Sequence, residues 1–304
     1  MTRRADPAFP RGNGAARWHE GHTIGVDVLP RLDALIEIKR GRRVRVSAVV
    51  PTPADADAGR IDAIAEHLLG RGRADELLVM RSGPAPVAPR LGRAFSSDDV
   101  LAEIPATPGR GDAMWRSLAV ADGDLVAWLD PAAGPVAAAR LIAGAILRED
   151  FDLVLGFGLP ADPVDALTAR PLLTALFPEL ARVQAPATRM LAGHRRALDT
   201  IPFVTADGAE VAVLLDVLAS SGLKAIGQVG LGDIPPGEQL DAVRADRITR
   251  IILRRADEAG RLRAHLDLPA EGEDASAVYS ERPPIELMPT YLAAVHGDIV
   301  AGHG

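Results

Sequence analysis

An α/β fold, with a mainly parallel sheet flanked by helices, is what this sequence predicts. Three observations lead there. Short aliphatic runs alternate with stretches of helical periodicity along the 304 residues. Aromatic residues make up only 4% of the chain, so the core must be built from Leu, Val, Ile and Ala. The runs are apolar at consecutive positions, as in strands covered on both faces.

The elements follow in order. Leu29 to Arg40 carries Leu32, Leu35 and Ile36 at helical spacing. Val44 to Val50 is a β-branched run stopped by Pro51, and reads as the first strand. Asp55 to Leu69 is a helix with Ile61, Ile64, Ala65 and Leu68 on one face. Glu76 to Met80 is the second strand, and Ser82 to Pro89 a proline-broken loop. Gly111 to Ala121 is helical, and Asp124 to Asp130 is a strand ending on an acid. A helix over Pro135 to Arg148 and a strand over Asp152 to Gly156 follow. Ala166 to Leu176 and Glu210 to Ser221 are helices, Ala225 to Val229 a strand, and Gln239 to Glu258 a long amphipathic helix. Alternation of this kind gives crossover connections and parallel strands. Ligands of such sheets bind beyond the carboxyl ends of the strands. The loops after Val50, Met80 and Leu129 are therefore where chemistry is expected. Residues 1–17, rich in Arg, Gly, Pro and Ala, read as a flexible N-terminal segment, 18–265 as a single domain, and 266–304 as a tail with a short helix near Leu292.

Composition excludes several classes. A net charge of −7 argues against a nucleic-acid partner, and the basic run Lys39 to Arg45 reads as a solvated turn entering a strand. With no cysteine there can be no disulfide, thiolate metal site or Cys nucleophile. No apolar stretch approaches the ~20 residues of a membrane span, so no membrane partner is expected. Met1 to Arg17 lacks the apolar core of a secretory signal, which leaves a cytoplasmic location as the expectation. Gly156 to Ala161 fits G-x-G-x-x-A, but Pro160 removes an amide that a phosphate would need, and a glycine-rich turn after a strand is the plainer reading. His19 and His22 have H-x-x-H spacing with no further ligands at hand, and read as polar residues of a segment folded back on the domain.

Six segments carry a resemblance. Trp18-His19 with Thr23-Ile24-Gly25, Ala74-Asp75-Glu76-Leu77 leading to Ser82-Gly83, and Pro108-Gly109-Arg110-Gly111-Asp112-Ala113-Met114-Trp115-Arg116-Ser117-Leu118-Ala119 come first. Ala169-Arg170-Pro171-Leu172-Leu173 with Pro178-Glu179-Leu180, then Gly208-Ala209-Glu210-Val211, then Gln228-Val229-Gly230-Leu231-Gly232 complete the series. In order and spacing, over roughly residues 18 to 255, they resemble the glucosyl-3-phosphoglycerate synthase family of actinobacteria. The resemblance implies a GT-A fold, the Rossmann-like architecture of nucleotide-diphospho-sugar transferases. It further implies retaining transfer of glucose from a UDP-type donor to D-3-phosphoglycerate, with Mg²⁺ or Mn²⁺, by a homodimer.

The chemistry of such a transfer needs a cation bridging the diphosphate, and hard cations need oxygen ligands. The family's D-x-D reads Asp130-Pro131-Ala132 here, with one acid left, and its later metal-ligand histidine falls in Asp233 to Gly237, where there is none. No residue is therefore assigned to a metal. On the donor side the family's P-A-L-N-E reads Pro51-Thr52-Pro53-Ala54-Asp55, its aspartate after the second strand is Arg81 followed by Ser82, and its P-G-K-G lysine is Arg110. The donor-binding candidates are thus Pro51, Asp55, Arg81, Ser82, Arg110 and Asp130. On the acceptor side the G-R-V-T loop aligns with Asp162 to Asp165, and S-G-E-Y with Thr188 to Leu191, leaving Asp165 and Arg189 as acceptor-binding candidates. Glu210 matches the family's active-site glutamate, and with Asp130 is the catalytic candidate. The plainer readings are a helix-opening acid for Glu210 and a turn-capping acid for Asp130.

These departures lead to the expectation of a divergent member that has lost metal-dependent glucosyl transfer. It would serve as a ligand-binding or partner protein, either as a homodimer or in a complex with an active relative. The alternative is an active hexosyltransferase moving a sugar from a nucleotide-sugar ligand to an altered small acceptor, using Asp130, Arg110 and Glu210 with little or no metal, Mg or Mn being the cofactor where one is bound, and Arg81 or Arg189 to neutralise the diphosphate.

Overall fold

The computed structural model describes residues 13–52, 57–81, 89–235 and 241–262. The chain divides into two units, residues 1–262 and 263–304, of which the second lies outside the described residues. So do Asp55, Ser82, most of the Ser82–Pro89 loop and the tail helix expected near Leu292.

In chain order the elements are α1 (Asn13–His22), β1 (Thr23–Ile24), α2 (Ala34–Arg42), β2 (Val46–Thr52), α3 (Ala58–Leu68), β3 (Glu76–Arg81) and β4 (Arg93–Ser96). They continue with α4 (Arg110–Val120), β5 (Leu125–Trp128), α5 (Gly134–Leu147), β6 (Leu153–Leu159), α6 (Arg170–Leu176) and β7 (Leu191–His194). The last are α7 (Arg195–Leu198), α8 (Ala209–Ser221), β8 (Ile226–Asp233) and α9 (Ala242–Glu258). Residues 13–17, which composition alone left without structure, thus form the first turns of α1.

Eight strands among the described residues form one sheet in the order β1-β8-β6-β7-β5-β2-β3-β4. All neighbours are parallel except β7, which runs antiparallel to both β5 and β6. The sheet is buried on both faces, and strand alternation sorts its side chains into two cores. Val46, Ala48 and Val50 of β2, with Leu125 and Ala127 of β5, pack on α2, α3 and α5 through Leu35, Ile61, Ile64, Leu68 and Ile142. Val49, Val126 and Trp128 face the other way, onto Met114 of α4, Leu214 of α8 and Ile248 of α9.

Three short strands escaped the sequence reading, the two-residue β1 among them. Neither Arg93–Ser96 nor Leu191–His194 contains a β-branched residue, and each is only four residues long. β7 matters for function because an antiparallel strand starts where its parallel neighbours end. Its first residue, Leu191, pairs with Trp128 and Leu155, so residues 188–190 lie on the rim formed by the carboxyl ends of the sheet.

The amino-terminal segment is tied to the same sheet. Thr23 is in register with Gln228, whose amide nitrogen donates to Thr23 Oγ1 at 2.9 Å. Trp18 Nε1 donates to the Leu223 carbonyl at 3.2 Å. His22 stacks between Trp18 and Phe151, so the H-x-x-H pair belongs to this packing.

Candidate functional site

The rim collects Pro51 and Thr52 from β2, Arg81 from β3, Asp130 just beyond β5, and Arg189 and Met190 just before β7. The Pro108 to Gly111 turn closes over it. Gly109 has φ +151°, and a Cβ there would sit on the carbonyl oxygen of Thr205; one at Gly111 would sit on that of Val204. Glycine at both positions lets the start of α4 press against the 204–206 backbone, where Asp112 N donates to Thr205 O at 3.0 Å. That contact brings Arg110 to Glu210, a few residues further along the same segment.

Arg110 is fully engaged. Its Nε donates to Glu210 Oε1 at 2.6 Å, Nη1 to the Pro51 carbonyl at 2.9 Å and Nη2 to the Arg189 carbonyl at 2.7 Å. The side chains are 9% and 1% exposed, so this is an ion pair largely withdrawn from water. One planar guanidinium thereby joins the ends of β2 and α8 to the entry of β7, a geometry that a lysine ammonium would not reproduce. Of the expected site residues, the structure brings together Pro51, Arg110, Arg189 and Glu210.

Asp130 stands at the end of β5, half-buried. Its Oδ1 accepts from Ala132 N at 2.9 Å and caps a short 3₁₀ turn at Pro131–Ala133. Its own amide faces the Met190 sulfur at 3.1 Å. Among the described residues no group of three His, Asp or Glu side chains is placed to hold a metal ion. A single carboxylate already accepting an amide hydrogen does not fit the oxygen-rich shell that Mg²⁺ or Mn²⁺ requires.

Asp165 is turned into the protein at 1% exposure and accepts from Ala187 N at 2.6 Å. Burial pushes its carboxyl up to about 7; the Ala187 amide and Arg244 oppose this, while Asp162 and Glu210 add to it. Arg244, 4% exposed, donates to Asp162 Oδ2 at 2.9 Å and to the Ala187 carbonyl. Sequence reasoning missed Arg244, although a signal was there. Arg244, Ile248, Ile252 and Ala256 recur every four residues on the buried stripe of α9, and an arginine on an apolar stripe needs an acid.

Arg81 and Arg189 are half-buried, and neither side chain is hydrogen-bonded or ion-paired. A cavity of about 220 Å³ beside the start of α4, lined by Trp115, Phe203 and Thr205 among others, contains none of these rim residues. Gly156 and Gly158 lie within β6, where Cβ atoms would meet Leu231 and Ile234, so the G-x-G there serves strand packing.

No family model matches the chain. Among characterised relatives, the glucosyl-3-phosphoglycerate synthase of Mycobacterium tuberculosis is 32% identical over 241 residues, 71% of each chain. That of Mycolicibacterium smegmatis is 33% identical over 215 residues, 64% of this chain and 70% of its own. The crystal structure of the M. tuberculosis enzyme with Mn²⁺, uridine-diphosphate-glucose and phosphoglyceric acid superposes with a TM-score of 0.65 at 30% identity, covering 75% of this chain and 84% of that one. No helix among the described residues is long and apolar enough to cross a membrane. With sequence and sheet agreeing over this much of both chains, the protein belongs to the glucosyl-3-phosphoglycerate synthase family and has its GT-A fold.

Proposed function

We propose that this chain is a degraded family member that has lost metal-dependent glucosyl transfer and works as a ligand-binding or partner protein. The observation that carries this reading is the Arg110–Glu210 pair, in which the two charges best placed for catalysis are spent on each other and on backbone carbonyls. The lone, amide-bound carboxylate of Asp130 supports it, because a departing sugar diphosphate needs charge stabilisation worth several kcal/mol. Solved relatives hold Mn²⁺, UDP-glucose and phosphoglyceric acid together. Purified chain incubated with UDP-glucose, 3-phosphoglycerate and Mn²⁺ or Mg²⁺ should release UDP no faster than buffer, whereas turnover at rates of ordinary enzymes, about 1 s⁻¹ or more, would refute the reading.

An active transferase with altered substrates is the second reading, favoured by Arg81 and Arg189, whose free guanidinium groups would offset charge on a leaving diphosphate. Release of UDP in the presence of a chelator would select it.

A further inference from the structure

The cavity beside the start of α4 lies on a different side of that helix from the rim. Residues two apart on a helix point in different directions, while those three or four apart share a face. Arg110 is directed to Glu210. Asp112, Trp115 and Arg116 form a separate stripe, and the first two line the cavity with Ile104, Thr107, Phe203 and Thr205. Its volume of about 220 Å³, at ~30 Å³ per water, holds about seven water-sized groups. That is room for one small substituted ring and not for a nucleotide.

The walls are fixed from inside the protein. Arg116, fully buried, donates through Nε to Asp112 Oδ2 at 2.8 Å, through Nη1 to the Val100 and Leu101 carbonyls, and through Nη2 to the Ile104 carbonyl at 2.8 Å. Phe203 packs edge-on against Trp128, with ring centroids 5.9 Å apart. The Asp112 and Arg116 charges cancel, so a charged ligand would bring an unmatched charge. What remains on offer is hydrogen bonding. Asp112 is 3% exposed, yet its Oδ1 accepts from no donor among the described residues. The Thr107 and Thr205 hydroxyls and the Trp115 indole N–H are equally unengaged. Three oxygens able to accept thus stand beside one group that can only donate. A largely buried carboxylate oxygen without a donor is costly unless a ligand or water supplies one.

We infer that this cavity is a second binding site, for one neutral cyclic polyol of monosaccharide size. Its hydroxyls would donate to Asp112 Oδ1 and exchange hydrogen bonds with Thr107 and Thr205, and its C–H face would lie against Trp115 and Phe203. Such a ring carries a donor at each hydroxyl, as an acceptor-rich site requires; a heteroaromatic base carries too few. The site goes beyond the reading of the rim, and stands whether or not the rim turns over a nucleotide sugar.

The test is titration of the full chain with myo-inositol and with D-galactose, followed by calorimetry and by tryptophan emission. Of the three tryptophans, Trp18 and Trp128 are buried, so a change in emission reports on Trp115. At least one polyol should saturate, with a Kd on the order of 1 mM or below for so small a ligand. By calorimetry, Trp115→Ala should weaken that binding about tenfold or more. Thr205→Val, at an exposed position where folding is not at stake, should weaken it about threefold. D-galacturonate and D-galactosamine, the same ring with a charge of either sign, should bind more weakly than D-galactose. No saturation by either polyol, or saturation that both variants leave unchanged, would overturn the site. Tighter binding of uracil, or of a charged sugar, than of both polyols would overturn the class of ligand.

Discussion

Replacing Arg110 by alanine is expected to cost the fold about 3–5 kcal/mol, the usual result of stripping the partner from a buried charge. Glu210 is 1% exposed and Arg110 is the cation that pairs with it. The substitution would also remove the donors on the Pro51 and Arg189 carbonyls, loosening the ends of β2 and β7 together. Urea denaturation should show the loss as a lower midpoint at constant slope. The double variant Arg110→Met with Glu210→Leu should recover most of it, because replacing a whole buried pair by apolar side chains of similar volume is often neutral or better. That recovery would show that the loss in Arg110→Ala comes from the unpaired Glu210 charge. Near-neutral behaviour of Arg110→Ala would mean that the guanidinium does not hold the rim closed.

The second large effect is a change of sign with pH at Asp165. Its carboxyl titrates near 7 in the folded protein against 3.8 as its ordinary value, so the folded state binds the extra proton in between. The stability it contributes is complete below pH 4 and is lost as pH rises through 7. The full loss is about 3 pH units at 1.36 kcal/mol each, or roughly 4 kcal/mol. In Asp165→Asn the side-chain oxygen still accepts from Ala187 N, the charge is gone, and a buried NH₂ is left short of acceptors at a cost of about 1–3 kcal/mol. The variant should therefore be less stable than wild type at pH 4 and more stable, by about 1–3 kcal/mol, at pH 8. Chemical denaturation at the two pH values measures both; parallel curves without a crossing would show that Asp165 is not carrying a buried titration.

Most of the sheet and its helices could be read from the chain because each long element repeats one physical signal. Ile61, Ile64, Ala65 and Leu68 fall on one face of α3, and all four are buried. The continuous apolar burial of β2 is likewise visible in Val46 to Val50. β4 and β7 were not readable, because Arg-Ala-Phe-Ser and Leu-Ala-Gly-His are strands by pairing and not by propensity. The site divides the same way. A strand-end acid at Asp130 follows from sequence alone, since aspartate before proline both ends a strand and caps a turn. The use of Arg110 does not, because its three partners are separated from it by 59, 79 and 100 residues. The Arg244–Asp162 pair spans 82 residues and is equally invisible to local pattern, apart from the charge on an apolar stripe.

Whether a divalent ion binds at the end of β5 decides the account most directly. Electron paramagnetic resonance of Mn²⁺ titrated with the full chain, in the presence of UDP-glucose, counts free and bound ions without relying on turnover. A lone carboxylate already holding the Ala132 amide should leave the free Mn²⁺ signal at the level that UDP-glucose alone produces. Stoichiometric loss of that signal on adding protein, reversed by Asp130→Asn, would contradict it.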